Sequence, residues 1–235
     1  MIMDVSILQL LDGAKSAEGI TVIIDVFRAF SLEAYLFHQG VREIIPVGSL
    51  DTAYELKQAH PDYILIGERK GKICPGFDYG NSPSSVKGLD LSGRTVVHTT
   101  SAGTQGVANA VHASEILCGS LVTAKATAAY IASQHPEKVS LVCMGWEGLK
   151  ETEEDLLCAE YLKSLLLHQP MKDLEQQAHD LMYTEGKKFF DPAQKDVFPE
   201  EDFWMCIRHD LFDFAIRNEK EGHLTINRKI EVSHE

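Results

Sequence analysis

The sequence predicts an α/β fold: a parallel or mostly parallel sheet covered by helices, with a probable internal duplication of a βαβαβ unit. Three observations carry this. Short β-branched runs such as Ile20-Thr21-Val22-Ile23-Ile24 alternate with helical patterns and short turns, as in sheets buried on both faces. The order of elements then recurs, and Gly-Ser-Leu-x-Thr-Ala stands at the same place in both stretches, at 48–53 and 119–124. At 235 residues the chain is also long enough for a well-buried core.

Residues 3–8 read as a short edge strand, and 20–24 as a strand ending at Asp25. A helix over about 31–38 closes at Gly40, a strand spans 41–47, and Gly48 to Asp51 opens a helix through Ala59. The apolar run 63–66 is a buried strand that leads into residues 67–83. Four glycines and two prolines among these seventeen positions read as turns, and a loop of this length in a compact domain is usually functional. Strands over 94–99, 115–118 and 139–144 follow, separated by helices that open near Gly103 and Gly119. Thr152-Glu153-Glu154-Asp155 caps a helix to about His168, with Leu156, Leu157, Tyr161, Leu162 and Leu165 on its apolar face. Helices are expected over 171–183 and 199–217, a polar, mobile connection over 185–197, and a weakly alternating strand or frayed end over 224–232. The domain prediction is therefore one α/β domain over 1–235. It is built from two pseudo-repeats (about 20–68 and 94–147) and a helical carboxyl-terminal part (about 151–217).

A net charge of −13 argues against nucleic acid as a partner, which needs a basic footprint. No apolar run approaches the ~20 residues that span a bilayer, so no membrane partner is expected. The amino terminus lacks the basic and apolar regions of a signal peptide. The cysteines at 74, 118, 143, 158 and 206 are odd in number, scattered and free of C-x-x-C pairs, which suits a cytoplasmic location. The histidines form no H-x-x-x-H pair, so zinc is not expected.

The chemistry-bearing clusters sit at predicted strand exits, where open parallel sheets bind ligands. Asp25 precedes Arg28 by three residues, pairing a carboxylate suited to Mg²⁺ with a guanidinium suited to phosphate. The 67–83 loop carries Glu68, Arg69, Lys70 and Asp78 beside Asn81 and Ser82. The run Thr99-Thr100-Ser101-Ala102-Gly103-Thr104 feeds a helix amino terminus and reads as an oxyanion cradle. Neither a Walker A loop nor a G-x-G-x-x-G fingerprint is present. Gly145-Trp146-Glu147-Gly148 closes the set at a further exit.

These residues resemble the magnesium-dependent 2-phosphosulfolactate phosphatases of coenzyme M biosynthesis. The resemblance rests on Ile24-Asp25-Val26-Phe27-Arg28-Ala29 and on Gly67-Glu68-Arg69 through Gly76-Phe77-Asp78-Tyr79-Gly80-Asn81-Ser82-Pro83. Thr99-Thr100 with Gly103-Thr104 and Glu154-Asp155-Leu156-Leu157-Cys158-Ala159 extend it to about Leu167. The chain has Ala102 where the family usually has Asn, and Glu160 where it often has Gly.

The resemblance implies Mg²⁺-assisted hydrolysis of a small sulfonated or carboxylated phosphate ester. Catalytic roles then fall to Asp25, Arg28, Glu68 and Arg69, and metal binding to Asp25, Glu68 and Asp78. Substrate contacts fall to Lys70, Asn81, Ser82, Thr99, Thr100, Ser101, Gly103 and Thr104, with Lys70 or Lys72 on a distal sulfonate. The expected partners are the small-molecule ester and a second copy in a homodimer. The alternatives are a phosphatase for another small phospho-acid and a non-catalytic phospho-ligand module.

Overall fold

The computed structural model describes residues 3–232. Strand and helix alternate through β1 (Asp4–Gln9), α1 (Leu10–Ser16), β2 (Gly19–Ile24), α2 (Ala29–His38), β3 (Glu43–Pro46), α3 (Leu50–Ala59) and β4 (Ile64–Arg69). A tight turn leads into β5 (Lys72–Ile73). The alternation resumes with β6 (Thr95–Thr99), α4 (Gly103–Asn109), β7 (Ala113–Gly119), α5 (Ala124–Ser133) and β8 (Lys138–Cys143). The remainder comprises α6 (Glu153–Leu166), α7 (Leu174–Asp180), α8 (Glu200–Cys206), β9 (Phe214–Glu221) and β10 (Leu224–Glu231). All ten strands join one mostly parallel sheet, in the order β1-β8-β2-β7-β9-β10-β3-β6-β4-β5.

The apolar runs form strands because both of their faces are covered. Val22 and Ile24 pack with Leu117 and Leu141 on one face of β2, while Ile23 packs with Phe30 and Val96 on the other. Helix α2 is buried along its length from Ala29 to Phe37, so it shows no polar stripe. All five cysteines are free and buried among these groups.

The strand order interleaves the two similar stretches. β2 lies between β8 and β7, and β6 lies between β3 and β4, all in parallel pairing. Each parallel block thus holds the first strand of the other stretch. The blocks are linked through three successive antiparallel pairings, β7–β9, β9–β10 and β10–β3, so they run in opposite senses along the ladder. In a flat sheet their carboxyl ends would lie on opposite edges. The exits of β2 and β6 nevertheless meet, since the Gly103 N–H donates to Asp25; at the seam between the blocks β10 pairs with β3 only through Asn227 and Ile44. A buried polar chain pins this seam. His98 Nδ1 lies 2.8 Å from Glu33 Oε1, Asn227 Nδ2 donates to Glu33 Oε2 at 2.7 Å, and Asn218 Nδ2 donates to Asn227 Oδ1 at 2.7 Å. Such buried polar chains help to fix one register, although His98 Nε2 is left without a partner.

Four expectations are corrected here. Residues 67–83 are not all loop, because β4 runs on to Arg69 and turns back as β5. Lys70 and Gly71 both have positive φ (54° and 79°), the pattern of a type I′ hairpin turn, which places glycine where a Cβ is costly. The helix expected over 199–217 ends at Cys206, and from Phe214 the chain is strand, so the carboxyl-terminal part is helical and then extended. The helix expected over 171–183 shortens to α7 and a 3₁₀ turn at Leu181–Tyr183. The 185–197 connection is not loose either: it forms a 3₁₀ turn, Glu185–Phe190, with Phe189 buried. No helix among the described residues is long and apolar enough to cross a membrane.

Candidate active site

Asp25 leaves β2 in a turn that feeds α2, and its carboxylate caps that turn by accepting from the Ala29 N–H at 3.1 Å. The other oxygen, Oδ2, accepts from the Gly103 N–H at the start of α4, also at 3.1 Å. The exits of β2 and β6 are therefore joined by one buried carboxylate. Glu68, at the end of β4, does the same on the other side. Its Oε1 accepts from the Ser101 N–H (2.8 Å) and its Oε2 from the Gly71 N–H (2.7 Å). Gly67 lets β4 approach β6 closely there, since a Cβ would come within 2.5 Å of the Thr99 carbonyl oxygen.

The predicted oxyanion cradle is thus used differently. The amides of Ser101 and Gly103 hold the protein's own carboxylates, so an incoming phosphate does not find them free. Two carboxylates on one pocket repel each other. Burial pushes the Asp25 carboxyl up to about 6, Glu68 adds to the rise, and the Ala29 and Gly103 amides with His98 oppose it.

Asp25 and Glu68 line a pocket that is partly open to solvent, together with Arg28, Asn81 and Thr100 to Ala102. Phe27, Trp146 and Phe198 form its aromatic side. Lys70 and Glu147 stand at it with left-handed backbones, φ 54° in both, a conformation that costs about 1–2 kcal/mol and is concentrated at functional sites. The side-chain oxygen of Asn81 is buried without a partner. No group of three or more His, Cys, Asp or Glu side chains placed to hold a metal occurs among the described residues. The pocket still suits Mg²⁺. That ion takes one or two carboxylates and completes its shell with water and phosphate, and here two amide-fixed carboxylates and the Asn81 oxygen are all hard donors.

The remaining expected residues have other surroundings. Arg28 is buried: Nη1 donates to Asp202 Oδ2 (2.7 Å) and to the Val197 carbonyl (2.9 Å), Nη2 donates to the Gly71 carbonyl at 3.5 Å, and the side chain lines the pocket. Ser82 donates to Asp202 Oδ1 at 2.9 Å and braces the loop. Arg69 turns away, donating to the Glu68 and Gly48 carbonyls and to Thr99 Oγ1, so Arg69 and Thr99 tie β4 to β6 outside the pocket. Thr104 donates its hydroxyl to the Thr100 carbonyl, and Thr100 Oγ1 accepts from the Thr104 N–H. Asp78 is not brought to the site. Its Oδ2 accepts from the Leu65 N–H at 2.8 Å with Lys57 at 3.5 Å, on the far side of β4 from the pocket lining. Lys72 lines an adjoining surface groove.

A model of the family described as 2-phosphosulpholactate phosphatase matches residues 6–220. The chain belongs to this family. Curated relatives carry the name "Probable 2-phosphosulfolactate phosphatase". The one from Bacillus subtilis (strain 168) is 29% identical over 237 residues, 97% of this chain and 100% of that protein. The one from Caldicellulosiruptor saccharolyticus is 34% identical over 215 residues, 83% of this chain and 87% of that protein. The one from Carboxydothermus hydrogenoformans is 35% identical over 178 residues, 75% of this chain and 73% of that protein. The chain is accordingly a phosphoric monoester hydrolase.

Several residues that shape this phosphatase pocket are not evident from sequence. Asp155, in the first turn of α6, accepts from the Val26 N–H and the Gly145 N–H, both at 2.8 Å, and so ties the Asp25 turn to the Trp146 turn. Three consecutive acids at a helix start suit dipole partners, and the sequence, though it puts Glu154 and Asp155 in the family pattern, does not give Asp155 this tie. Asp202 is hidden in the same way in the first turn of α8. Lys188 lies in the stretch read as a polar connection, and Phe198 directly follows it.

Glu154, next to Asp155, is buried with one oxygen unpartnered. Burial pushes its carboxyl up to about 7, while Lys188 nearby opposes the rise. A raised carboxyl means that the folded chain holds a proton the unfolded chain has already lost. Stability from this group is therefore complete below the ordinary value of 4.5 and falls as pH rises toward about 7. Glu154→Gln escapes that loss. Its melting temperature relative to the unsubstituted chain should rise by several degrees between about pH 5 and about pH 8, equivalent to roughly 1–3 kcal/mol, in scanning calorimetry. A gap that does not change with pH would place the Glu154 proton elsewhere.

Proposed function

We propose that this phosphatase hydrolyses the phosphate ester of 2-phosphosulfolactate, a small sulfonated 2-hydroxy acid, with Mg²⁺ as its cofactor, in the cytoplasm. The observation that carries the reading is the pair of carboxylates, each held by two backbone N–H groups from separate loops and both facing one pocket. Fixing them before substrate arrives removes the cost of arranging them during the reaction. Asp25, Glu68 and Asn81 would hold the ion, which when bound neutralises charge on the phosphoryl oxygens. Lys70, exposed at the mouth, draws an anion toward an otherwise acidic protein. Arg28, at the pocket wall, places its guanidinium charge where negative charge develops as the ester P–O bond breaks. Its Nη1 is committed to Asp202, so it does not swing to follow substrate. Overall one water is consumed: its oxygen ends on phosphorus, and the hydroxy acid leaves with a proton on the former ester oxygen.

The family resemblance supports the sulfonated substrate, and Ala102 in the pocket lining is the point at which this chain departs from the usual family pattern. Phosphate release should therefore be followed across small phospho-acids, with Mg²⁺ and after chelation by EDTA. The expected result is preferred release from 2-phosphosulfolactate that disappears on chelation and returns with Mg²⁺. Release that survives exhaustive chelation would remove the metal from the account, and tight binding without release would make the chain a binding module.

A further inference from the structure

Lys188 is a cation beside the pocket with no anion assigned to it. It lies in the 3₁₀ turn Glu185–Phe190. Its Nζ stands 4.4 Å from the centre of the Trp146 ring, 5.6 Å from Phe198 and 5.7 Å from Phe27, the three rings on the aromatic side of the pocket. Phe189 adds a fourth face at 5.7 Å. Ring faces attract an ammonium group but accept its N–H bonds poorly. Lys188 makes no hydrogen bond or ion pair with any described residue. Of the three acids near it, Glu185 is paired with Lys150 at 3.0 Å, Asp25 is held by the Ala29 and Gly103 amides, and Glu154 keeps one oxygen unpartnered. A half-buried ammonium with three donors and no acceptor is a costly arrangement unless an anion completes it.

We propose that Lys188 binds the sulfonate of the substrate and sets the preference for a sulfonated over a plain phospho-acid. This rests on the phosphatase reading given above. Among the anionic groups of such a substrate, a sulfonate spreads one charge over three oxygens and is the least strongly hydrated. It is therefore the group that enters a ring-lined corner at least cost. Phosphate, with its higher charge, suits the carboxylate side, where a divalent ion would meet it. Lys70 and Lys72, the cations expected for the sulfonate from sequence, are exposed at the mouth and in the adjoining groove, where water and salt weaken a single charge contact.

The test compares 2-phosphosulfolactate with 2-phospholactate, the corresponding ester without the sulfonate, in the unsubstituted enzyme, Lys188→Met and Lys188→Arg. The ratio of kcat/KM for the two esters should fall about 10- to 100-fold in Lys188→Met, mostly through KM for the sulfonated ester, and largely recover in Lys188→Arg. A ratio that stays put, whether both rates are retained or both drop together, would overturn the assignment. Circular dichroism checks the fold, and Lys188→Gln replaces the Met variant if that chain does not fold. Calorimetric binding of sulfolactate and of lactate separates this proposal from the phosphatase reading. If the unsubstituted chain releases phosphate from neither ester, that reading fails. Lys188 is then judged by whether Lys188→Met weakens sulfolactate binding about 10- to 100-fold more than lactate binding, and an equal effect on both would overturn it.

Discussion

Replacing Glu68 with Gln is expected to lower kcat for phosphate release about a thousandfold or more, a loss of roughly 4 kcal/mol of transition-state stabilisation. Gln has nearly the size of Glu, so the packing survives. What it loses is the charge and one acceptor. The Ser101 and Gly71 N–H groups both point at this side chain, and an amide can accept from only one of them while presenting its own NH₂ to the other. The pocket then holds one carboxylate in place of two, too little to seat a divalent ion against its hydration. KM should change far less than kcat, because the positive charge is needed most where charge shifts onto the leaving oxygen. Steady-state phosphate release with saturating Mg²⁺ checks this, and a kcat within tenfold of the unsubstituted enzyme would reassign Glu68 to bracing the loop.

Asp202→Ala should destabilise the fold by about 3–5 kcal/mol, the usual cost of leaving one member of a buried ion pair alone. Arg28 and Asp202 are 3% and 0% exposed, and their contact is 2.7 Å. Asp202 also accepts from Ser82 Oγ and the Ser84 N–H, so one carboxylate holds together the Asp25 turn, the 67–83 segment and α8. Removing it strands a guanidinium against the Phe198 ring and frees two donors. For a chain of this size the melting temperature should fall by roughly 6–20 °C. The exposed Lys138–Glu18 pair supplies the control, and Glu18→Gln should leave melting where it is. Equal melting of the two variants would mean that water reaches Arg28.

The strand exits were legible from sequence because apolar runs ending in a charged residue have few other readings. Asp25, Glu68 and Thr100, all beyond predicted strand exits, line one pocket. The path by which they meet was not legible. Exits of one open parallel sheet were expected, whereas Asp25 and Glu68 leave strands of two blocks joined by antiparallel pairings. That junction is built by the β9–β10 hairpin. Leu211, Phe212, Phe214 and Ile216 fit a helical stripe as well as a strand, and pairing with β7 decides between them. Gly222, at positive φ between two extended runs, was the signal for the hairpin. Asp78 shows the limit of reading charge from a loop. Its neighbours in sequence belong to the site, but the Leu65 N–H captures its carboxylate. The aromatic side of the pocket was hidden because Phe27, Trp146 and Phe198 converge from three distant segments.

Asp25 and Glu68, fixed by loop amides, are proposed to form one divalent-cation site. Mn²⁺, used in place of Mg²⁺ for its paramagnetism, allows occupancy to be read directly by electron paramagnetic resonance in the unsubstituted chain and in Asp25→Asn, Glu68→Gln and Asp78→Asn. The account predicts a single saturable site in the unsubstituted chain and in Asp78→Asn, lost in Asp25→Asn and in Glu68→Gln. Undiminished Mn²⁺ binding in either of those two variants, or its loss in Asp78→Asn, would contradict it.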